Sequence, residues 1–246
     1  MKRFTPLFII GFVLFPILHS SCVFRSAELR GNYHVTSDTL PVGDYESIEL
    51  NVSAEIIYRQ MPQSEPFLQI STDENILQAL SINITGKRLI IESKTDTILK
   101  PSRLVIYTNS KNLNELSVSG AGNIRMENEV NAKDLSINIS GAAKLYADSL
   151  FCENIHLSIS GVGNVYITGA ATKADIQISG VGNIFADNFL IQDLDCNISG
   201  TGKENVFVAQ TLHASVSGTG KINYRGNPQT VETSVSGVGA IKKIEE

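Results

Sequence analysis

The sequence predicts an all-β fold: a right-handed, single-stranded parallel β-helix, or solenoid, with about 20 residues per coil. One short phrase returns seven times, as SVSGAGNI, NISGAAKL, SISGVGNV, QISGVGNI, NISGTGKE, SVSGTGKI and SVSGVGAI. Its first glycines are Gly120, Gly141, Gly161, Gly180, Gly200, Gly218 and Gly237, spaced 18 to 21 residues apart. That period is too short for helix-pair repeats or propeller blades and suits one coil of strand per repeat. Apolar and polar residues alternate inside each repeat, the mark of a strand with one buried face. Thirteen of the 19 glycines lie in these phrases, so glycine marks a recurring corner and not a low-complexity tract. The right hand follows from the rule for parallel crossovers.

Composition agrees with a folded body. The chain has 246 residues, 42% hydrophobic and 18% charged, with a net charge of −5, which excludes wholesale disorder. An acidic body is a poor match for a phosphate backbone, so nucleic acid is not an expected partner. Three cysteines are too few for a disulfide-built scaffold.

Lys2 and Arg3 precede an apolar run from Leu7 to Leu18, broken by Gly11 and Pro16. A spanning helix needs about 20 apolar residues, so residues 1–21 read as a secretory signal peptide. The stretch Leu18-His19-Ser20-Ser21-Cys22 resembles a bacterial lipoprotein cleavage site, with His19 where that pattern usually has an aliphatic residue. The resemblance implies lipid attachment at Cys22 and makes the membrane a partner, each buried methylene contributing about 0.8 kcal/mol. Losing Lys2 and Arg3 takes the net charge from −5 to −7. The expected address is the cell envelope, at the outer membrane, with the periplasmic and surface faces both open. Residues 22–43 are polar, closed by Pro41 and Gly43, and read as a tether.

The solenoid domain is expected over 44–241. Its first part, 44–112, lacks the phrase but has strand patterns at 47–59, 67–71, 80–93 and 103–108, expected as irregular first coils that cap the stack. Thr72 to Leu80 suggests one short helical turn with a Thr cap. Lys94 to Ser102, with Pro101, reads as a loop.

The seven repeats, 113–241, sort into columns when counted back from each first glycine. The second position (Val118, Ile139, Ile159, Ile178, Ile198, Val216, Val235) points inward. The third (Ser117, Asn138, Ser158, Gln177, Asn197, Ser215, Ser234) and the fifth (Glu115, Ser136, His156, Asp175, Asp195, His213, Glu232) face water. Past the corner a second strand restarts at Ile124, Leu145, Val165, Ile184, Ile222 and Ile241. Glu204 falls in that inward column, as though Lys203 to Asn205 held an inserted residue or bulge. Cys196 points inward and Cys152 lies two repeats earlier, too distant for a bridge, so two unpaired buried thiols are expected. Residues 242–246 form a charged end that discourages further pairing.

The apolar strand before Asp73-Glu74-Asn75, then Gly86-Lys87-Arg88-Leu89-Ile90-Ile91, and the repeated V/I-S-G-x-G-N-I together resemble the bacterial putative auto-transporter adhesin head GIN domain family, DUF2807, over about 44–241. Gly122-Asn123, Gly163-Asn164 and Gly182-Asn183 carry its G-N signature, while Ala143-Lys144, Gly202-Lys203, Gly220-Lys221 and Gly239-Ala240 depart from it. The resemblance implies a right-handed β-helix on envelope-attached bacterial proteins.

Chemistry is sparse. No HExxH, CxxC, GxSxG, phosphate-loop or calcium-repeat motif occurs, and neither cofactor nor metal is expected. His156 and His213 lie three repeats apart, about 14 Å, too far to share an ion. The S-G-x-G phrase is followed by a strand and lacks the helix of a dinucleotide loop. Asp175 and Asp195, one repeat apart in one column, are the best carboxylate pair for cleaving a glycan. No Arg, Lys or His is expected to support them in that column, so two solvated acids is the favoured reading. The Ser column (Ser119, Ser140, Ser160, Ser179, Ser199, Ser217, Ser236) and the third-position column read first as ladders satisfying corner backbone groups. Their second reading is a landing strip for a glycan or an extended envelope protein. Asn123, Asn164 and Asn183 suggest left-handed turn geometry. The expected function is a non-enzymatic, envelope-anchored interaction, scaffold or adhesion-like module. Its rivals are a glycan-binding or polysaccharide-cleaving β-helix and a self-associating structural element; oligomeric state stays open.

Overall fold

The computed structural model describes residues 27–245. The signal segment and Cys22 lie outside them. From residue 113 onward the chain is a parallel β-solenoid. Ile139, Ile159, Ile178, Ile198, Val216 and Val235 are direct partners in one column. Past the corner Ile124, Leu145, Val165, Ile184, Glu204, Ile222 and Ile241 form the other. Each strand finds its backbone partners one repeat away, and like side chains stack to fill the core. Full burial of an Ile or Leu contributes about 1.5–3 kcal/mol, which a coil obtains only when rungs on both sides cover it.

Close approach explains the corner glycines. A Cβ on Gly180 or Gly200 would collide with the carbonyls of the preceding corner, at Gly161 and Gly180 respectively. Positive φ is not the reason: among the described glycines it occurs only at Gly86, Gly169 and Gly226.

The inward placement of Glu204 holds, but the bulge does not. Register is continuous from Thr201 to Val206 against Val181 to Ala186, and it shifts only afterwards, between Ala186 and Leu190 and again between Ile191 and Asp193. Glu204 takes an apolar slot between Ile184 and Ile222, fully buried and without a hydrogen-bond partner. Burial pushes its pKa up to about 8. Both described cysteines are free; Cys196 is buried, whereas Cys152 is only partly so. Burial raises both thiols, Cys152 to about 11, which suppresses the reactive thiolate.

The N-terminal part departs most from expectation. Arg88–Ser93 pairs with one edge of Ser47–Leu50, and Glu115–Val118 pairs with the other. Leu104–Ser110 and Ala121–Met126 flank Ala54–Gln60 in the same way. The first coil in the chain is therefore second in the stack. Antiparallel strands close the end beneath it. Leu80–Thr85 forms a hairpin with Arg88–Ser93 through Gly86 and Lys87, both at positive φ, the geometry of a type I′ turn. Phe67–Asp73 runs antiparallel to Leu104–Ser110. Leu68, Ile70 and Ile76 are fully buried there.

Two segments read as loose are instead strands. The tether contributes Glu28–Arg30 and Val35–Pro41, paired with Ile98–Lys100 and Phe67–Asp73. The Lys94–Ser102 loop thus contains a strand. Their side chains are mostly exposed, so apolar alternation gave no signal. Asp73 fastens this region. Its carboxylate accepts from the amides of Tyr33 (2.8 Å) and Ser102 (2.7 Å) and from the Ser102 hydroxyl (2.7 Å). Gly31 lies so close that a Cβ would strike that carboxylate. Asp73, and not Thr72, precedes the helix Glu74–Ala79, and its side chain makes no cap hydrogen bond because it is spent on the clasp.

Candidate functional site

The fifth-position column does more than face water. Ser136, His156, Asp175, Asp195 and His213 are successive Cα partners. Two residues earlier in every repeat runs a second outward column: Asp134, Asn154, Lys173, Asp193 and Thr211. Between the two lie Leu135, Ile155, Ala174 and Leu194, each at most 5% exposed. The columns form the walls of an open groove of about 1050 Å³, and the strand backbone at these four residues, whose side chains turn into the core, forms its floor. It runs along the solenoid axis for four rung spacings, roughly 19 Å. Five consecutive strand segments supply it, so its spacing is fixed by backbone hydrogen bonds and not by loops.

The walls are built of hydrogen-bonding groups. His156 Nδ1 lies 3.0 Å from Asp175 Oδ2, and Asn154 Nδ2 donates to Asp134 Oδ1 at 2.7 Å. Gln177 Nε2 reaches Asp175 at 3.3 Å from the next column. His213 stacks one rung above Asp195 and pairs with Glu232, Nδ1 to Oε2, at 3.3 Å. The expectation that no His supports the aspartates is thus corrected: the column reads His, Asp, Asp, His, Glu, and each His bonds an acid one rung on. Lys133 and Lys173 line the same groove as Asp134, Asp175, Asp193 and Asp195, so carboxylates outnumber ammonium groups two to one in the lining.

The third-position column (Ser117, Asn138, Ser158, Gln177, Asn197, Ser215, Ser234) is in register as expected. It lies beside the groove. Several of its members are engaged by neighbours: Ser215 donates to Asn197 at 3.0 Å, and Asn138 to Ser136 at 3.1 Å. In the Ser column, Ser119 hydrogen-bonds Asn51, and the Ser140 hydroxyl reaches the Val118 carbonyl at 3.4 Å. Asn164 and Asn183 lie in strands without positive φ, and Asn183 Nδ2 donates to Asn164 Oδ1 at 2.9 Å. They form an amide ladder and not a left-handed turn.

Two features escaped the sequence reading. The groove's second wall lies seven residues before each corner glycine, one alternation beyond the columns considered. On the strands past the corner Tyr146, Tyr166 and Phe185 stack with centroids 4.9 and 4.6 Å apart and planes within 8°, and the Arg125 guanidinium lies 5.2 Å from the Tyr146 centroid. The fifth residue after each corner glycine would have revealed them. Their ring faces are spent on one another, so they brace the coils and offer only edges to a ligand.

Comparison with known proteins agrees with this architecture. Residues 44–228 match the family described as Putative auto-transporter adhesin, head GIN domain. A putative adhesin of Bacteroides fragilis is 26% identical, with a TM-score of 0.84 over 88% of this chain and 100% of its own. A putative lipid binding protein of Parabacteroides distasonis is 26% identical, with a TM-score of 0.68 over 89% of this chain and all of its own. A putative adhesin of Parabacteroides merdae shares the fold at 22% identity, with a TM-score of 0.70 over 89% and 100%. No curated protein sequence matches.

Proposed function

Because the chain belongs to the putative auto-transporter adhesin, head GIN domain family, we propose that it is an exported, non-enzymatic, adhesion-like module, anchored at the cell envelope through Cys22. The groove is the surface with which it docks. The observation that carries this reading is the groove's construction: two polar walls repeated in register over five rungs. Such a surface suits an extended partner, because equivalent contacts recur along one line. Asp175 and Asp195 serve binding in this reading. Both open to water on the wall, and neither has the apolar enclosure that distinguishes a general acid from its partner carboxylate.

Two measurements test it. Clickable palmitate labels the wild-type chain in cells and leaves Cys22→Ser unlabelled; label on both variants, or on neither, removes the anchor. Asn154→Trp puts bulk into the groove from an outward position and spares the core. In the Cys22→Ser background, which lacks the lipid, the chain with the native groove sediments with washed cell envelopes and the chain that also carries Asn154→Trp stays in solution. Equal sedimentation of the two would show that docking occurs elsewhere.

A further inference from the structure

The last coil of the solenoid ends in a bare sheet edge. Thr230–Val235 pairs with Thr211–Val216 on one side without a shift in register, and no other described strand pairs with it. All six of its residues are exposed. Proteins blunt such an edge with lysine, proline or a bulge, and the run Thr-Val-Glu-Thr-Ser-Val has none of these. Lys242 and Lys243 stand on the other leg of the coil, Ala240–Lys243, where Lys243 Nζ donates to Asn227 Oδ1 at 2.6 Å. The charged end expected from the sequence therefore protects one leg only.

Backbone direction shows what the edge offers. In the coils before it, inward residues turn their carbonyls to the following coil: Ile178 accepts from Ser199, Ile198 from Ser217 and Val216 from Ser236. Val235 is next in that column and has no following coil. The amide and carbonyl of one residue point the same way and the direction alternates along a strand, so Val231, Thr233 and Val235 all present donors and acceptors out of the end. We infer that this edge pairs antiparallel with the same edge of a second copy, across a two-fold axis at Thr233, in a weak and closed dimer.

The edge is complementary to itself in that register. Val231 meets Val235 of the second copy, Thr233 meets its own counterpart, and each of these pairs exchanges two hydrogen bonds. The valines then lie together on the core face. On the water face Glu232, whose carboxylate is held by His213 at 3.3 Å, meets Ser234. With the axis at Glu232 or Ser234, only two of the three residues find a partner, and the first choice also sets Glu232 against Glu232, which like charge disfavours.

The rest of the stack fixes the size of the assembly. Antiparallel strands and the helix close the N-terminal end, so copies cannot stack head to tail into a fibre, and the symmetric pair is the one that closes. A coil of about 20 residues encloses a cross-section of roughly 350 Å², and the pair buries under about 1,200 Å² in total, the range of weak complexes. In dilute solution the edge is therefore bare. Crowding of copies on one surface drives pairing by mass action.

Sedimentation of the full chain in the Cys22→Ser background, from about 1 to 200 μM, tests the inference. Monomer prevails at the lowest concentration, dimer grows with concentration, and nothing larger forms. Thr233→Pro removes an amide that has no partner in the single chain, and it weakens the dimer by about tenfold or more without lowering the urea midpoint. Ser234→Lys, opposite Glu232 of the second copy, tightens the dimer about two- to fivefold, and Ser234→Glu weakens it by a similar factor. If Thr233→Pro lowers the midpoint, the outward Ser234 pair decides alone. Oxidation checks the register: chains carrying Glu232→Cys and chains carrying Ser234→Cys form a disulfide-linked dimer when mixed, because that pair lies about 4.5 Å apart between Cα atoms. Neither variant does so by itself. A strict monomer at about 200 μM, growth beyond the dimer, or a dimer indifferent to these substitutions overturns the proposal. Either cysteine variant linking to itself as readily as to the other overturns the axis at Thr233.

Discussion

The two ends of the stack are finished differently. At the N-terminal end antiparallel strands, a short helix and the Asp73 clasp cover the last rung, and Leu68, Ile70 and Ile76 lose all contact with water. At the other end Thr230–Val235 and Ala240–Lys243 form the final coil. There Val231 and Val235 remain 43% and 46% exposed although they sit in inward columns. The same residue type at the same repeat position is thus core in one coil and surface in another. What decides is the rung beyond it, because a solenoid coil contributes burial only through its neighbours.

A pair of truncations in one column measures what the neighbouring rungs contribute. Ile178→Ala, covered on both sides, is expected to cost about 2–5 kcal/mol, whereas Val235→Ala should cost within about 0.5 kcal/mol. Urea unfolding measures both, and equal losses would refute the dependence on neighbouring rungs.

Next in size is the polar fault in the regular coils. Glu204→Leu should stabilise the protein by about 1–4 kcal/mol, as when a buried ionisable group yields to an apolar one of similar volume. The effect has a pH signature. The folded protein holds the Glu204 proton up to about pH 8, while an ordinary carboxyl releases it near 4.5. Between those values the folded state binds more protons, so this group's contribution to stability falls as pH rises through that window. Thermal midpoints of wild type and Glu204→Leu should therefore diverge from pH 5 to pH 8; a constant gap would contradict the burial.

The clasp at the closed end is worth less. Asp73→Ala leaves the amides of Tyr33 and Ser102 without their acceptor, at a cost of about 1–3 kcal/mol. Loss of hydration pushes the Asp73 carboxyl upward, but the Ser102 hydroxyl and amide and the Tyr33 amide hold it below its usual value. Its contribution is present above the ordinary carboxylate pKa and is lost as pH falls through the lowered one. Limited proteolysis should then cut near residues 31–41 in Asp73→Ala and spare the wild type.

The smallest effect is local opening. Amides of residues 231–235 should exchange with solvent far faster than those of 156–159, which open only with the whole stack. Hydrogen exchange resolved by residue distinguishes the two, and uniform protection would mean that the final coil is covered.

The repeat, the register and the inward columns are legible in the order of the amino acids alone. A period near 20 with alternating side chains leaves one way to bury Ile159 and Ile178, and the structure makes them partners. Three things needed the tertiary structure. The order of the first coils depends on pairings between segments more than 40 residues apart that share no phrase, such as Leu116 with Ile48. The strands at 28–30 and 35–41 are held by backbone pairing and by the Asp73 carboxylate, which leave no apolar pattern to read. The groove arises because two outward columns flank one apolar line along the stack; the sequence shows that each column is polar, but only the packed coil shows that they face a shared hollow.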